Sequence, residues 1–227
     1  MCNCEIGKAY EDLKNEVAEV RDYVRGNLIP RTREEELYKG TMILYSQLIK
    51  NPDFLFIGIN PGAGFFKSTG IKYRPEELDP EDGFEYVVAE NEYDYDLARQ
   101  TRTAFGQTKF RDCLSRSVKT NLFYTSTSNQ NEMHELFSII NSNLKINYYD
   151  KSVIWTKRLI NIFEPKIIIC EGKSVVDRLS AYYGVEPSWN QQIAMFQIQG
   201  NVRVLGYKRR YSRFRNIDEF VEALNSL

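Results

Sequence analysis

Phe54-Leu55-Phe56-Ile57-Gly58-Ile59 is an unbroken apolar run that stops at Asn60-Pro61-Gly62. Without polar alternation, such a run predicts a strand covered on both faces, as in a parallel sheet. Three further segments read alike: Asn121 to Tyr124, Lys166 to Cys170 and Val202 to Tyr207. Helical patterns surround them. Ile154 to Phe163 precedes the third strand, Lys173 to Tyr183 follows it, and the C-terminal segment opens with Asn216 and Glu219 as a capping pair before Ile217, Phe220, Val221 and Leu224. Strands alternating with helices imply right-handed βαβ crossovers. The expected fold class is α/β: a three-layer α/β/α sandwich with a four-stranded parallel sheet.

Upstream, Ile6, Tyr10, Leu13, Val17, Val20 and Val24 form one stripe at spacings of four and three, predicting a helix that ends near Gly26. A second helix is expected from Thr32, capped in a T-x-x-E box with Glu35, through Leu37, Leu44 and Leu48 to a stop at Asn51-Pro52. The 227 residues suit one domain, with a helical extension over 1–50. Residues 61–100 have little periodicity, and 76–96 hold ten acidic side chains and no Lys or Arg. That segment reads as a solvated loop or lid, or as an acidic partner-binding element.

Composition narrows the function classes. At 42% hydrophobic and 27% charged, with 13 Gly and 7 Pro, the chain is neither collagen-like nor intrinsically disordered. Its apolar runs fall far short of the ~20 residues that span a bilayer. No membrane association is expected, and residues 1–8 carry no secretory pattern, so the expected location is cytoplasmic. A net charge of -1 supplies no global field for polyanions, which a local patch would have to meet. The four cysteines do not resemble a disulfide framework, and the Cys2-x-Cys4 pair has no second pair at ligand spacing.

Several motifs are excluded by their own spacing. Gly58, Gly62 and Gly64 do not make a dinucleotide fingerprint, and Gly172-Lys173-Ser174 lacks the glycine that a Walker A loop needs at position 167. Triads that need histidine have one candidate, His134, in a polar helix start. Asn60 is different. Pro61 and Gly62 force a sharp turn at the strand end, so the carboxamide can project into a pocket and hold a water with a donor and an acceptor, or can close the strand with an Asx turn.

The segment Gly58-Ile59-Asn60-Pro61-Gly62 resembles the first motif of the uracil-DNA glycosylase superfamily, and most closely its mismatch-specific branch. The resemblance extends over the four strands, roughly residues 53–207. It implies that Asn60 positions the attacking water, and that Gly58, Ile59, Pro61 and Gly62 build the turn around the substrate. Asn121, in the Thr120-Asn121 pair that begins the second expected strand, would read the pyrimidine edge. Of the aromatics Phe65, Phe66 and Tyr73, Phe66 would stack on the flipped base. Pro165 to Ile169 with Gly172 is similar to the third strand and its glycine turn.

The fourth motif departs from the pattern. Where the family has a Pro-Ser turn, this chain reads Gly206-Tyr207-Lys208-Arg209-Arg210-Tyr211-Ser212-Arg213-Phe214-Arg215, without proline. From Arg203 to Arg215 there are six basic residues, no acidic ones and three aromatics. Lys208, Arg209, Arg210, Ser212 and Arg213 are candidate DNA contacts, with Tyr211 the candidate wedge. A solvated connection that balances the acidic stretch would carry the same charges. The resemblance implies a monofunctional glycosylase that cleaves uracil or a mismatched pyrimidine from DNA, with no metal or organic cofactor. Two alternatives stay open: an inactive superfamily member that binds nucleic acid, a nucleotide or a base, and a small-molecule nucleoside hydrolase.

Overall fold

The computed structural model describes residues 3–60, 78–92 and 94–227. Its strands are β1 (Phe54–Gly58), β2 (Val118–Asn121), β3 (Ile167–Glu171), β4 (Ser188–Asn190), β5 (Ile193–Ile198), β6 (Val202–Tyr207), β7 (Arg209–Arg210) and β8 (Arg213–Phe214). The helices are α1 (Asn3–Asn27), α2 (Arg33–Leu37), α3 (Glu85–Glu92), α4 (Asp96–Gly106), α5 (Gln130–Leu144), α6 (Tyr148–Phe163), α7 (Lys173–Tyr183) and α8 (Ile217–Ser226). Among the described residues, no helix is long and apolar enough to cross a membrane. Contacts divide the chain into two compact units, one of residues 45–59, 81–120 and 163–227 and the other of 1–44, 60–80 and 121–162.

The first unit carries the sheet, ordered β2-β1-β3-β6-β5-β4. All residues of β1 and β3 are buried, as their uninterrupted apolar runs require. These two strands run parallel with Phe54 opposite Ile167, and β6 continues the parallel set with Val204 opposite Ile168. The expected four-stranded parallel sheet is corrected here: the sheet has six strands and is mixed, because β5 and β4 add antiparallel to β6. Phe54, Phe56, Ile167, Ile169, Leu205 and Tyr207 share one face and pack with Phe84, Tyr86, Leu97, Phe105, Phe220 and Leu224 from α3, α4, α8 and the turn before α3. The opposite face receives α7 at Gly206. A Cβ there would stand 2.1 Å from Val176 Cγ2, so only glycine lets this helix approach so closely.

Within the acidic segment, residues 78–92 and 94–100 hold α3 and the first turn of α4. Phe84, Tyr86, Ala89, Leu97 and Ala98 are buried, whereas most of the described acidic side chains face outward. Charge hid the pattern because the apolar anchors are few and unevenly spaced.

In the other unit, α1 buries Ile6, Tyr10, Leu13, Val17 and Val24 as expected. Tyr10 donates to the Leu78 carbonyl at 2.7 Å, and Glu16 accepts from Trp155, Lys151 and Arg158 of α6. The second expected helix is overturned: α2 ends at Leu37, and Leu44 and Leu48 lie outside any helix. Residues 39–42 instead pair with 124–126, through Lys39 N to the Ser126 carbonyl at 3.0 Å and Met42 N to the Tyr124 carbonyl at 2.9 Å. The Thr32 box does not form, because the Thr32 hydroxyl donates back to the Ile29 carbonyl and Glu35 accepts from Arg31 N.

Candidate functional site

Asn60 stands two residues past the end of β1 and is half-buried. Its Nδ2 donates to Thr127 Oγ1 at 3.0 Å, and that hydroxyl donates in turn to the Asn129 carbonyl at 2.9 Å. A hydroxyl has one proton, and a carbonyl can only accept. Thr127 can therefore only accept from Asn60, which fixes the amide with its amino end on Thr127 and its Oδ1 on the other side. Thr127 is itself anchored by the start of α5. Asn129 caps that helix by accepting from Glu132 N at 3.0 Å, and the Glu132 carboxylate returns to Ser128 N at 3.2 Å.

Asn121 ends β2 rather than beginning a strand, and the expected Asn121 to Tyr124 strand moves back to Val118–Asn121. Its side chain is buried. The chain then enters Thr125-Ser126-Thr127, all buried, in which Thr125 Oγ1 and Ser126 Oγ have no hydrogen-bond partner among the described residues. Two asparagines and a run of buried hydroxyls thus belong to one unit, in which both donors and acceptors are present. Gly58 and Ile59 are placed with β1 and the residue after it, while Pro61, Gly62, Phe66 and Tyr73 lie outside the described residues. Thr127 was missed in the sequence; its signal is the T-S-T run that follows a strand ending in Asn.

The basic strip forms a small antiparallel hairpin of β7 and β8, with Arg209 opposite Phe214. Arg215 N closes it on the Lys208 carbonyl at 3.2 Å. Several basic side chains of the strip have a partner within the protein. Arg203 donates to the Leu227 carbonyl, Lys208 to the Gln191 carbonyl, and Arg213 to Asp96 at 2.6 Å. The Arg213 guanidinium beside Asp96 holds that carboxyl below its ordinary range. Arg210, Tyr211, Ser212 and Arg215 are exposed. Tyr211 occupies the two-residue turn with φ of 55° and its surface 87% exposed, while Phe214 tucks in and stacks on Tyr207 at 4.1 Å. Asp96→Asn should free the Arg213 guanidinium and raise affinity for a DNA oligonucleotide several-fold at low salt. A titration of the variant against the native chain checks this, and equal or weaker binding speaks against the hairpin as a phosphate contact.

A buried ionic triad went unnoticed in the sequence. Lys119 Nζ lies 2.9 Å from Glu171 Oε2, 3.5 Å from Glu85 Oε2 and 2.5 Å from the Tyr86 hydroxyl, which itself donates to Glu171. Burial and the nearby Glu171 carboxylate push the Tyr86 phenol well above its usual range. Continuing the β1–β3 register past Ile57 and Cys170 brings Gly58 level with Glu171, on the face of Phe54 and Phe56. The only linear signal is a charge, Glu171, attached to the apolar run Ile167 to Cys170.

Among the described residues, no three of His, Cys, Asp and Glu are grouped to hold a metal ion. His134 bonds through Nδ1 to the Tyr149 hydroxyl and stacks on that ring. Cys113 and Cys170 are free thiols, both pushed up by burial and by Asp53 and Glu171 respectively. No known protein-family model matches the chain, and no curated protein matches it at a significant level.

Proposed function

We propose that this chain is a DNA glycosylase-like hydrolase that removes uracil or a mismatched pyrimidine by cleaving its N-glycosidic bond. The observation that carries the reading is the orientation of Asn60, whose amino end is committed to Thr127. In this reading the carboxamide so held at the end of β1 positions the attacking water. Cleavage of the glycosidic bond is largely dissociative, so the barrier falls when negative charge on the departing base is stabilised and water is held at the sugar carbon. Asn121, with a donor and an acceptor on one side chain, suits the imide edge of uracil. The exposed Arg210, Arg215 and Tyr211 of the hairpin supply phosphate neutralisation and an aromatic for the duplex.

The test is incubation of the full chain with uracil-containing single strands and with G·U and G·T duplexes, followed by alkaline cleavage at abasic sites. Cleavage at the uracil or the mismatched thymine is expected. Absence of alkali-labile sites on all of them, with free nucleosides hydrolysed instead, would move the chain to the nucleoside hydrolases.

A further inference from the structure

The β4–β5 hairpin extends the sheet beyond its parallel strands and carries Trp189, paired with Ala194. Two lysines from other elements converge on this indole. Lys208 Nζ lies 4.9 Å from the ring centroid and Lys173 Nζ 5.8 Å. Each contact is attractive through the quadrupole of the ring, yet two like charges beside one ring repel each other. One carboxylate offsets them, since Asp177 pairs with Lys173 at 2.6 Å. Lys208 donates to the Gln191 carbonyl at 2.7 Å, which orients the ammonium without neutralising it. Next in the chain, the Arg209 side chain lies over Gly172, its Nε 3.4 Å from where a Cβ would be, and Arg210 follows on the surface. Lys173 and Lys208, with Arg209 beside Gly172, therefore gather excess positive charge next to a partly exposed aromatic.

We infer that the Trp189 corner is a second nucleic-acid contact, at which Lys173 and Lys208 neutralise phosphates of a strand that also meets the β7–β8 hairpin. The inference rests on the nucleic-acid reading of that hairpin. A phosphodiester strand fits better than an acidic protein. The cations can neutralise its phosphates while the half-buried Trp189 ring offers a base a surface to stack on, which an acidic side chain cannot use. It also fits better than an anionic bilayer, because the large apolar side chains exposed among this unit's described residues are only Met195 and Tyr211.

Tryptophan emission reads the site directly, since the chain has two tryptophans and the other, Trp155, is buried. Titrating the full chain with an oligothymidylate at low salt should give a saturable change in emission that Trp189→Phe abolishes. Combining Lys173→Gln with Lys208→Gln should weaken binding about tenfold, and should reduce the slope of log affinity against log salt by about 1.5. If the native chain binds the oligonucleotide but the double variant keeps its affinity and slope, the second contact is overturned while the hairpin reading stands. If the native chain does not bind at all, both fall. A stronger emission response to phosphatidylserine vesicles than to the oligonucleotide would likewise overturn the assignment.

Discussion

Asn60→Ala should lower the rate of base excision by about 10²- to 10⁴-fold, the range for removing a group that positions or activates the attacking water. Affinity for the same oligonucleotide should change by less than about twofold, because removing an interaction made in the transition state leaves ground-state binding in place. Thr127→Val keeps the shape of the side chain but removes the acceptor for Asn60 Nδ2. It should give a smaller loss, restored by Thr127→Ser, since only the hydroxyl is required. Single-turnover excision alongside a binding titration separates the two effects. Excision at the native rate in Asn60→Ala would remove the proposed chemistry.

The second large effect is on stability. The side chains of Lys119 and Glu171 are 8% and 2% exposed, so either one without its partner leaves an uncompensated charge in the interior. Lys119→Met or Glu171→Gln should each destabilise by about 3 to 5 kcal/mol. In a chain of this size that is a drop of roughly 6 to 20 °C in Tm. Combining Lys119→Met, Glu171→Leu, Glu85→Leu and Tyr86→Phe should recover most of the loss, because hydrophobic replacement of a whole buried ionic set is often neutral. Thermal unfolding followed by circular dichroism decides it. A single variant that loses less than about 1 kcal/mol would mean that water reaches the triad and screens it.

Elements whose burial follows one period could be read from the chain alone. In α1 the apolar stripe became the buried face, β1, β3 and β6 lie within a residue or so of their apolar runs, and the Asn216 cap of α8 accepts from Asp218 N and Glu219 N. The readings failed where polar residues are buried or apolar ones exposed. β2 reads Val-Lys-Thr-Asn and is wholly buried, since Lys119 is paired and the Ser46 hydroxyl accepts from Lys119 N; the apolar residues after it drew the expected strand forward. β4 and β5 went unseen because their turn, Gln191-Gln192, holds a glutamine at φ of 50° instead of the Asn-Gly or Asp-Gly that marks a hairpin. At the candidate site, Asn60 was legible as a strand-end amide, whereas Asn121, expected to open its strand, closes it. Thr127 was not legible, since its role depends on a contact across 67 residues.

Tyr211 has a backbone conformation that glycine or asparagine would adopt with less strain. A loop under no demand except to reverse direction would drift toward those residues, gaining up to about 1 kcal/mol by the change. Keeping a bulky ring at that position trades folding free energy for display. Variants selected purely for heat resistance should therefore lose this tyrosine early, and under the proposed reading of the hairpin would weaken their hold on polynucleotides along with it.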